Sequence, residues 1–376
     1  MNLRYKLHVL PLFLVAFTLG IAATATQADT LAIGAEAPDF ALKGIDDKIH
    51  TLKDFAEAEI LVIIFNTNHC PTAQAYEDRM KKLAADYSGK GVALVAIQPN
   101  DPKAIRLDEL GYTDLGDTFE EMKIRAKDRE FNFPYLYDGD TQEVTTAYGP
   151  LVTPHVFVFD SERKLRYEGR IDNNENPAHI NSHDTRNAID ALLIGESPPV
   201  ETTNVFGCSV KWIRERPAAE ASLARWNQEQ ATLNEIDAAG VAEIARNDTD
   251  KTRLVKVWAT WCAPCIAEFP EVVEMHRMYR GRGRLEIISI SMDTLRYKDR
   301  AHQLLNEHHA SMTNYIFSGD DRDDLVSALD EEWRGPVPYT LLIAPGGEVL
   351  YRQNGPSTPR EVRKAIADQI GRTYFD

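Results

Sequence analysis

An apolar run from Leu254 to Trp258 leads into Trp261-Cys262-Ala263-Pro264-Cys265, and a segment with helical patterning follows at once. Buried strand, tight turn, helix: that order confines the chain to folds in which a strand end delivers two thiols to a helix start. On the first helical turn, unpaired N–H groups and the helix dipole favour thiolate over thiol at Cys262. Cys265 lies one turn further on, close enough to attack a mixed disulfide formed there. Zinc sites generally want two such pairs or nearby histidines, and neither follows here.

The same order occurs in degenerate form around Cys70. Ile60 to Phe65 is a continuous apolar run, as buried parallel strands carry. Asn66 to Cys70 reads as a turn, Thr72 to Tyr87 has helical spacing, and Val92 to Ile97 is a second buried strand. Residues 99–131 are polar and read as a partly helical insertion. A hairpin of 155–159 with 165–171 and a helix over 183–193 complete this half. The second half repeats the plan, with a strand over 254–258, a helix over 263–279 interrupted at Pro270, and a strand over 285–290. A hairpin of 340–343 with 349–353 follows, and a helix over 358–370 ends the chain. Pro154 lies 84 residues after Cys70 and Pro338 lies 76 after Cys262, while Tyr167 and Tyr351 each fall 13 residues beyond the proline. The expectation is an α/β protein with two tandem copies of one fold, 31–200 and 232–376, each a central mixed sheet flanked by helices. Residues 201–231 connect them, carry Cys208, and read as helical over 217–233.

At 376 residues the chain exceeds the usual size of one domain. Arg4 and Lys6, the apolar stretch from Leu7 to Ala25 and the small residues up to Ala28 read as a signal peptide over 1–28. The stretch is also just long enough to stay as an anchor, so any membrane contact is expected only through an uncleaved leader. Export implies an oxidising compartment, periplasmic or otherwise outside the cytoplasm, in which disulfides persist. Four cysteines are too few for a structural framework in so long a chain and read as working thiols. A net charge of −16 argues against nucleic acid and anionic lipid as partners.

Val257-Trp258-Ala259-Thr260-Trp261-Cys262-Ala263-Pro264-Cys265, Glu268-Phe269-Pro270 and Val337-Pro338-Tyr339 together resemble the TlpA/ResA family of exported thiol–disulfide oxidoreductases. The likeness covers nearly all of the second half and implies a thioredoxin fold. It also implies roles: Cys262 as attacking thiolate, Cys265 as resolving thiol, and Pro338 as the cis-proline whose exposed backbone pairs with substrate. Glu268 becomes an acid that assists proton transfer. Trp258 and Trp261 read as packing residues that shield the site, with Trp261 also set against substrate. Lys256 departs from the pattern, because thioredoxins carry a buried acid at that place. Turned inward it favours the thiolate but suffers desolvation; snorkelling outward it does nothing, so redox poise stays open.

Thr67-Asn68-His69-Cys70-Pro71, with 34–42 and Leu52-Lys53-Asp54-Phe55 upstream, resembles the AhpC/TSA-type redoxins. Ala73 replaces the second cysteine, so this is a monothiol site. The likeness implies that Thr67 hydrogen-bonds peroxide or thiolate and that Cys70 is oxidised to sulfenic acid. Peroxiredoxins place an arginine just before the late core strand, whereas this chain has Val152-Thr153-Pro154-His155, a thioredoxin-like cis-proline loop. Arg170 is the nearest arginine downstream. Gly207-Cys208-Ser209-Val210-Lys211-Trp212 resembles a C-terminal segment of some redoxins, which makes Cys208 the resolving partner of Cys70, passing a disulfide on to Cys262. A static disulfide or an unpaired thiol is the alternative.

The expected function is thiol–disulfide exchange at Cys262/Cys265 in the reducing direction, on a disulfide-bearing protein or a small thiol or peroxide. The electron donor is unknown and no organic cofactor or metal is expected. The alternative is a fused peroxidase working through Cys70 and Cys208. A third reading is Cu(I) held by Cys70 and His155, with His69 beside them.

Overall fold

The computed structural model describes residues 29–375; the signal peptide expected over 1–28 lies outside them. The first half runs β1 (Ala41–Gly44), β2 (Ile49–Thr51), β3 (Ile60–Phe65), α1 (Pro71–Asp86), β4 (Val92–Gln98) and α2 (Phe119–Asp128). It continues with β5 (Tyr135–Tyr137), α3 (Glu143–Tyr148), β6 (Val152–Thr153), β7 (His155–Phe159), β8 (Leu165–Gly169) and α4 (Asp184–Leu193). Next come β9 (Cys208–Ser209) and α5 (Arg216–Trp226), a shorter helix than the spacing over 217–233 predicts. The second half runs β10 (Asn234–Ile236), α6 (Ala238–Arg246), β11 (Thr252–Trp258), α7 (Ala263–Tyr279), β12 (Leu285–Ser291) and α8 (Lys298–Glu307). It ends with β13 (Thr313–Phe317), α9 (Arg322–Leu329), β14 (Tyr339–Ile343), β15 (Val349–Asn354) and α10 (Pro359–Ile370). Pro270 lies inside α7 without ending it, contrary to the expected interruption.

Two mixed sheets result, ordered β2-β1-β5-β4-β3-β7-β8 and β10-β13-β12-β11-β14-β15. The chain therefore has the expected α/β class, with two thioredoxin-type sheets in tandem. Their centres correspond: β3 and β11 each pair in parallel with the next strand and antiparallel with the strand after the late proline. Even the register matches. Phe65 pairs with His155, and Val257 pairs with Tyr339. In each case the first partner stands five residues before a cysteine and the second stands one residue after a proline. Sheet pairing alone thus carries each proline to the helix start that bears the thiol.

Alternation fixes which face each side chain takes. Ile60, Val62 and Ile64 pack with Tyr76, Met80, Leu83 and Ile189, while Leu61, Ile63 and Phe65 pack with Tyr148, Phe157 and Phe159. Every residue of β3 is buried, so truncating one of its Ile, Leu or Phe side chains to Ala costs about 2–5 kcal/mol.

Residues 207–213 do not form a loose connection. β9 pairs antiparallel with β6, setting Cys208 opposite Thr153. Beyond it the Lys211 N–H donates to Asn100 Oδ1 at 2.8 Å, and the Lys211 carbonyl accepts from the Asp101 N–H at 2.9 Å and from Gln142 Nε2 at 2.8 Å. Val210 and Trp212 are buried. The segment that holds Cys208 is therefore folded into the first half.

Candidate active sites

Cys262 is the N-cap of α7; its Sγ accepts the Cys265 N–H at 3.3 Å, and a disulfide joins the two cysteines. Pro338 follows a cis peptide bond, at the position carried beside this turn by the β11–β14 register. Thr260 braces the turn, its N–H and hydroxyl both donating to Asp293 at 2.8 Å. Trp258 is buried and donates to Ser289. Trp261 differs from the expected shielding role: it is 60% exposed, with the Arg322 guanidinium 5.8 Å from its ring. It packs into no core.

On β11, Lys256 is buried and points inward. Its Nζ donates to Glu268 Oε2 at 2.7 Å and to Thr340 Oγ1 at 2.8 Å. Burial pushes the Lys256 ammonium down and the Glu268 carboxylate opposes that push. Glu268 Oε1 in turn accepts from the Ser357 N–H and hydroxyl at 2.6 and 2.7 Å. The two residues read separately in the sequence form one buried ion pair.

Cys70 is the N-cap of α1 and is wholly buried. Its Sγ lies 3.5 Å from the Ala73 N–H, 3.4 Å from the Cys208 N–H, and 3.2 Å from the Thr153 carbonyl, to which a protonated thiol donates. Burial pushes the thiol up, but the Cys208 thiol donating to it, the His69 charge and these N–H groups together hold it down to about 6. The reciprocal effect raises the Cys208 thiol. The Tyr374 hydroxyl, from the C-terminal end of the chain, lies beside Cys208, and its ring packs edge-on against Tyr112 at 5.1 Å.

Other expected residues fall out differently. Thr67 is buried, but its hydroxyl bonds that of Thr153 at 3.2 Å rather than the Cys70 sulfur. Pro154 is cis, the counterpart of Pro338. Arg170 is committed to Asp184 at 2.6 Å. The copper reading fails on His155. Its Nδ1 accepts the Leu151 N–H at 3.2 Å and its Nε2 meets Glu168 at 2.7 Å, leaving no nitrogen for a metal. No cluster of three or more potential metal ligands occurs among the described residues.

Asp117 has no motif to announce it in the polar insertion. It is fully buried and receives the His69 ring Nδ1 at 2.7 Å, Asn100 Nδ2 at 2.7 Å, and the N–H groups of Asn68 and His69 at 2.9 and 3.1 Å. Burial raises the Asp117 carboxyl, but His69 and these donors hold it below the usual carboxylate range.

The two thiol centres do not meet. Tyr279, at the C-terminal end of α7, donates its hydroxyl to the Thr113 carbonyl at 2.7 Å, and Arg372 pairs with Asp114 at 2.6 Å. These contacts set the loop leading to Asp117 against the far end of α7 from Cys262. No hydrogen bond or ion pair among the described residues joins the first half to residues 259–265 or 335–338.

Residues 33–168 match the AhpC/TSA family. The thiol:disulfide interchange protein CycY of Rhizobium leguminosarum is 31% identical over 148 residues, which make up 39% of this chain and 68% of that protein. The thiol-disulfide oxidoreductase ResA of Oceanobacillus iheyensis is 26% identical over 123 residues, 33% of this chain and 53% of that protein. The chain thus spans about half the length of that ResA. A solved structure of an uncharacterized conserved protein from Geobacillus kaustophilus is 37% identical, covering 48% of this chain and 92% of that one with a TM-score of 0.43.

Proposed function

The chain belongs to the family of thiol–disulfide oxidoreductases that includes CycY and ResA, and on that premise we propose that it exchanges disulfides outside the cytoplasm through Cys262 and Cys265, in the domain of residues 232–376. The observation that carries the proposal is Cys262 at the N-cap of α7, bonded to Cys265 beside an exposed Trp261 and a cis Pro338. In the reducing direction the Cys262 thiolate attacks one sulfur of a substrate disulfide, forming a mixed disulfide and releasing the other sulfur as thiolate. Cys265, deprotonated with help from the Lys256–Glu268 pair, then attacks Cys262 Sγ and releases the second substrate thiolate. Two electrons pass to the substrate, and a dithiol donor restores the Cys262/Cys265 dithiol. Cys262→Ser should abolish disulfide reductase activity, measured as reduction of a disulfide-bonded protein; activity retained in that variant overturns the assignment.

A second activity is favoured at Cys70, within 31–200, by a buried, low-pKa thiol backed by the resolving candidate Cys208. Complete burial under β9 excludes a peptide there in this conformation and favours a small hydroperoxide. Peroxide treatment followed by mass-spectrometric disulfide mapping should then yield Cys70–Cys208. Cys208 remaining a free thiol throughout removes it from the reaction.

A further inference from the structure

We propose that His69, held by Asp117, is the proton donor to the departing oxygen when a hydroperoxide oxidises Cys70; this rests on the second activity above. The residues that the redoxin likeness would offer for the task are engaged elsewhere. Thr67 is bonded to Thr153, and the arginines of this half near α1 are spoken for: Arg170 by Asp184, Arg79 by Asp172, Arg125 by Glu77.

His69 differs from all of these. Its Nδ1 is fixed on Asp117, which sets the ring orientation and, by its negative charge, favours the imidazolium. Its Nε2 is buried and has no protein partner among the described residues. A buried ring N–H left unpaired is unfavourable, and active sites are where such groups persist for a ligand that comes and goes. Burial pushes the His69 imidazolium down, yet Asp117 and the Cys70 thiolate together raise it above its ordinary value. The charged groups that face this pair are few. Asp117, the Cys70 thiolate and the Lys211 ammonium act on His69, and that ammonium is itself paired with Glu109 at 2.6 Å.

The steps balance. The Cys70 thiolate attacks one peroxide oxygen; an S–O bond forms as the O–O bond breaks, and the sulfur gives up two electrons. The departing alkoxide or hydroxide takes the Nε2 proton and leaves as alcohol or water, and Cys70 becomes a sulfenic acid. The Cys208 thiol then attacks that sulfur, an S–S bond replaces the S–O bond, and water leaves with the Cys208 proton. A dithiol returns both sulfurs to thiols.

The test uses the full chain and hydrogen peroxide, following Cys70 oxidation by mass spectrometry with Cys70→Ser as the baseline. His69→Gln should slow oxidation roughly 100-fold, the lower range for loss of a general acid. It should also erase the alkaline limb of the pH–rate profile, which a merely structural role would leave in place. Should His69→Gln fail to fold, Asp117→Asn keeps the shape of the anchor, removes its charge, and carries the same two readouts. A wild-type rate with an unchanged pH profile in the variant overturns the role of His69 and leaves peroxide oxidation of Cys70 standing. No Cys70-dependent oxidation in the wild type removes both.

Discussion

Lys256 sits between Val255 and Val257 in a strand buried along nearly its whole length, a place where an ammonium persists only because Glu268 meets it. Removing one partner of such a pair leaves an uncompensated buried charge and costs about 3–5 kcal/mol, whereas replacing both is often neutral. Lys256→Met should therefore lower the free energy of unfolding by about that amount, measured by denaturant titration, and adding Glu268→Gln should recover most of it. Cys70 gives the residue scale a second handle, through pH. Its thiol is depressed from 9.0 to about 6 in the folded chain, so the linked stabilisation is complete above about 9 and lost as pH falls through about 6. With Cys262 and Cys265 oxidised, ultraviolet thiolate absorbance lost in Cys70→Ser should titrate near pH 6, and the stability gap between the two proteins should close below it. Both cysteines were legible because a thiol after a buried strand and before a helix is a local pattern. Asp117 was not: it lies 48 residues from His69 in a polar stretch, and only folding turns it inward. Lys256 was half legible, since its place in the strand was readable but the partner that draws it inward stands on α7.

At the scale of elements, two short strands decide what Cys70 can meet. β9 covers the edge of β6, and Gly207 makes the approach possible: its φ is +142°, and a Cβ there would stand 2.1 Å from the Thr153 carbonyl oxygen. Gly207→Ala should therefore prise β9 from β6. Alkylation of Cys208 should rise roughly tenfold or more, as expected when a locally closed segment opens, while the sheets themselves keep their melting behaviour. An unchanged alkylation rate would show that Val210, Trp212 and Lys211 hold the segment without that pairing. The paired registers of β3 with β7 and β11 with β14 were foreshadowed by the spacing of Cys70, Pro154, Cys262 and Pro338, because a sheet converts sequence distance into lateral position. The β6–β9 pair was not foreshadowed. Two-residue strands carry no periodicity, and the glycine that permits the approach looks like any other turn residue.

For the whole molecule, the question is how electrons from one thiol centre reach the other. Cys262 caps the first turn of α7, while the loop that carries Thr113 and leads to Asp117 packs against Tyr279 at its last turn. Seventeen residues at the helical rise separate these ends by about 25 Å. A disulfide exchange needs sulfur atoms at bonding distance, about 2 Å in the product. Within one molecule, carrying that loop along α7 toward Cys262 requires that Arg372 leave Asp114, Tyr279 leave Thr113, and Arg282 leave the Gly111 carbonyl, which it meets at 3.0 Å. Between two molecules those contacts can stay in place, because Trp261 beside Cys262 is exposed and Cys208, unlike Cys70, is only partly buried. Reduction of a Cys70–Cys208 disulfide by the Cys262/Cys265 dithiol should therefore accelerate in proportion to protein concentration in a stopped-flow dilution series. A rate that stays constant on dilution would mean instead that the halves part and rejoin within a single chain, and that the contacts at the end of α7 are a hinge rather than a fixed joint.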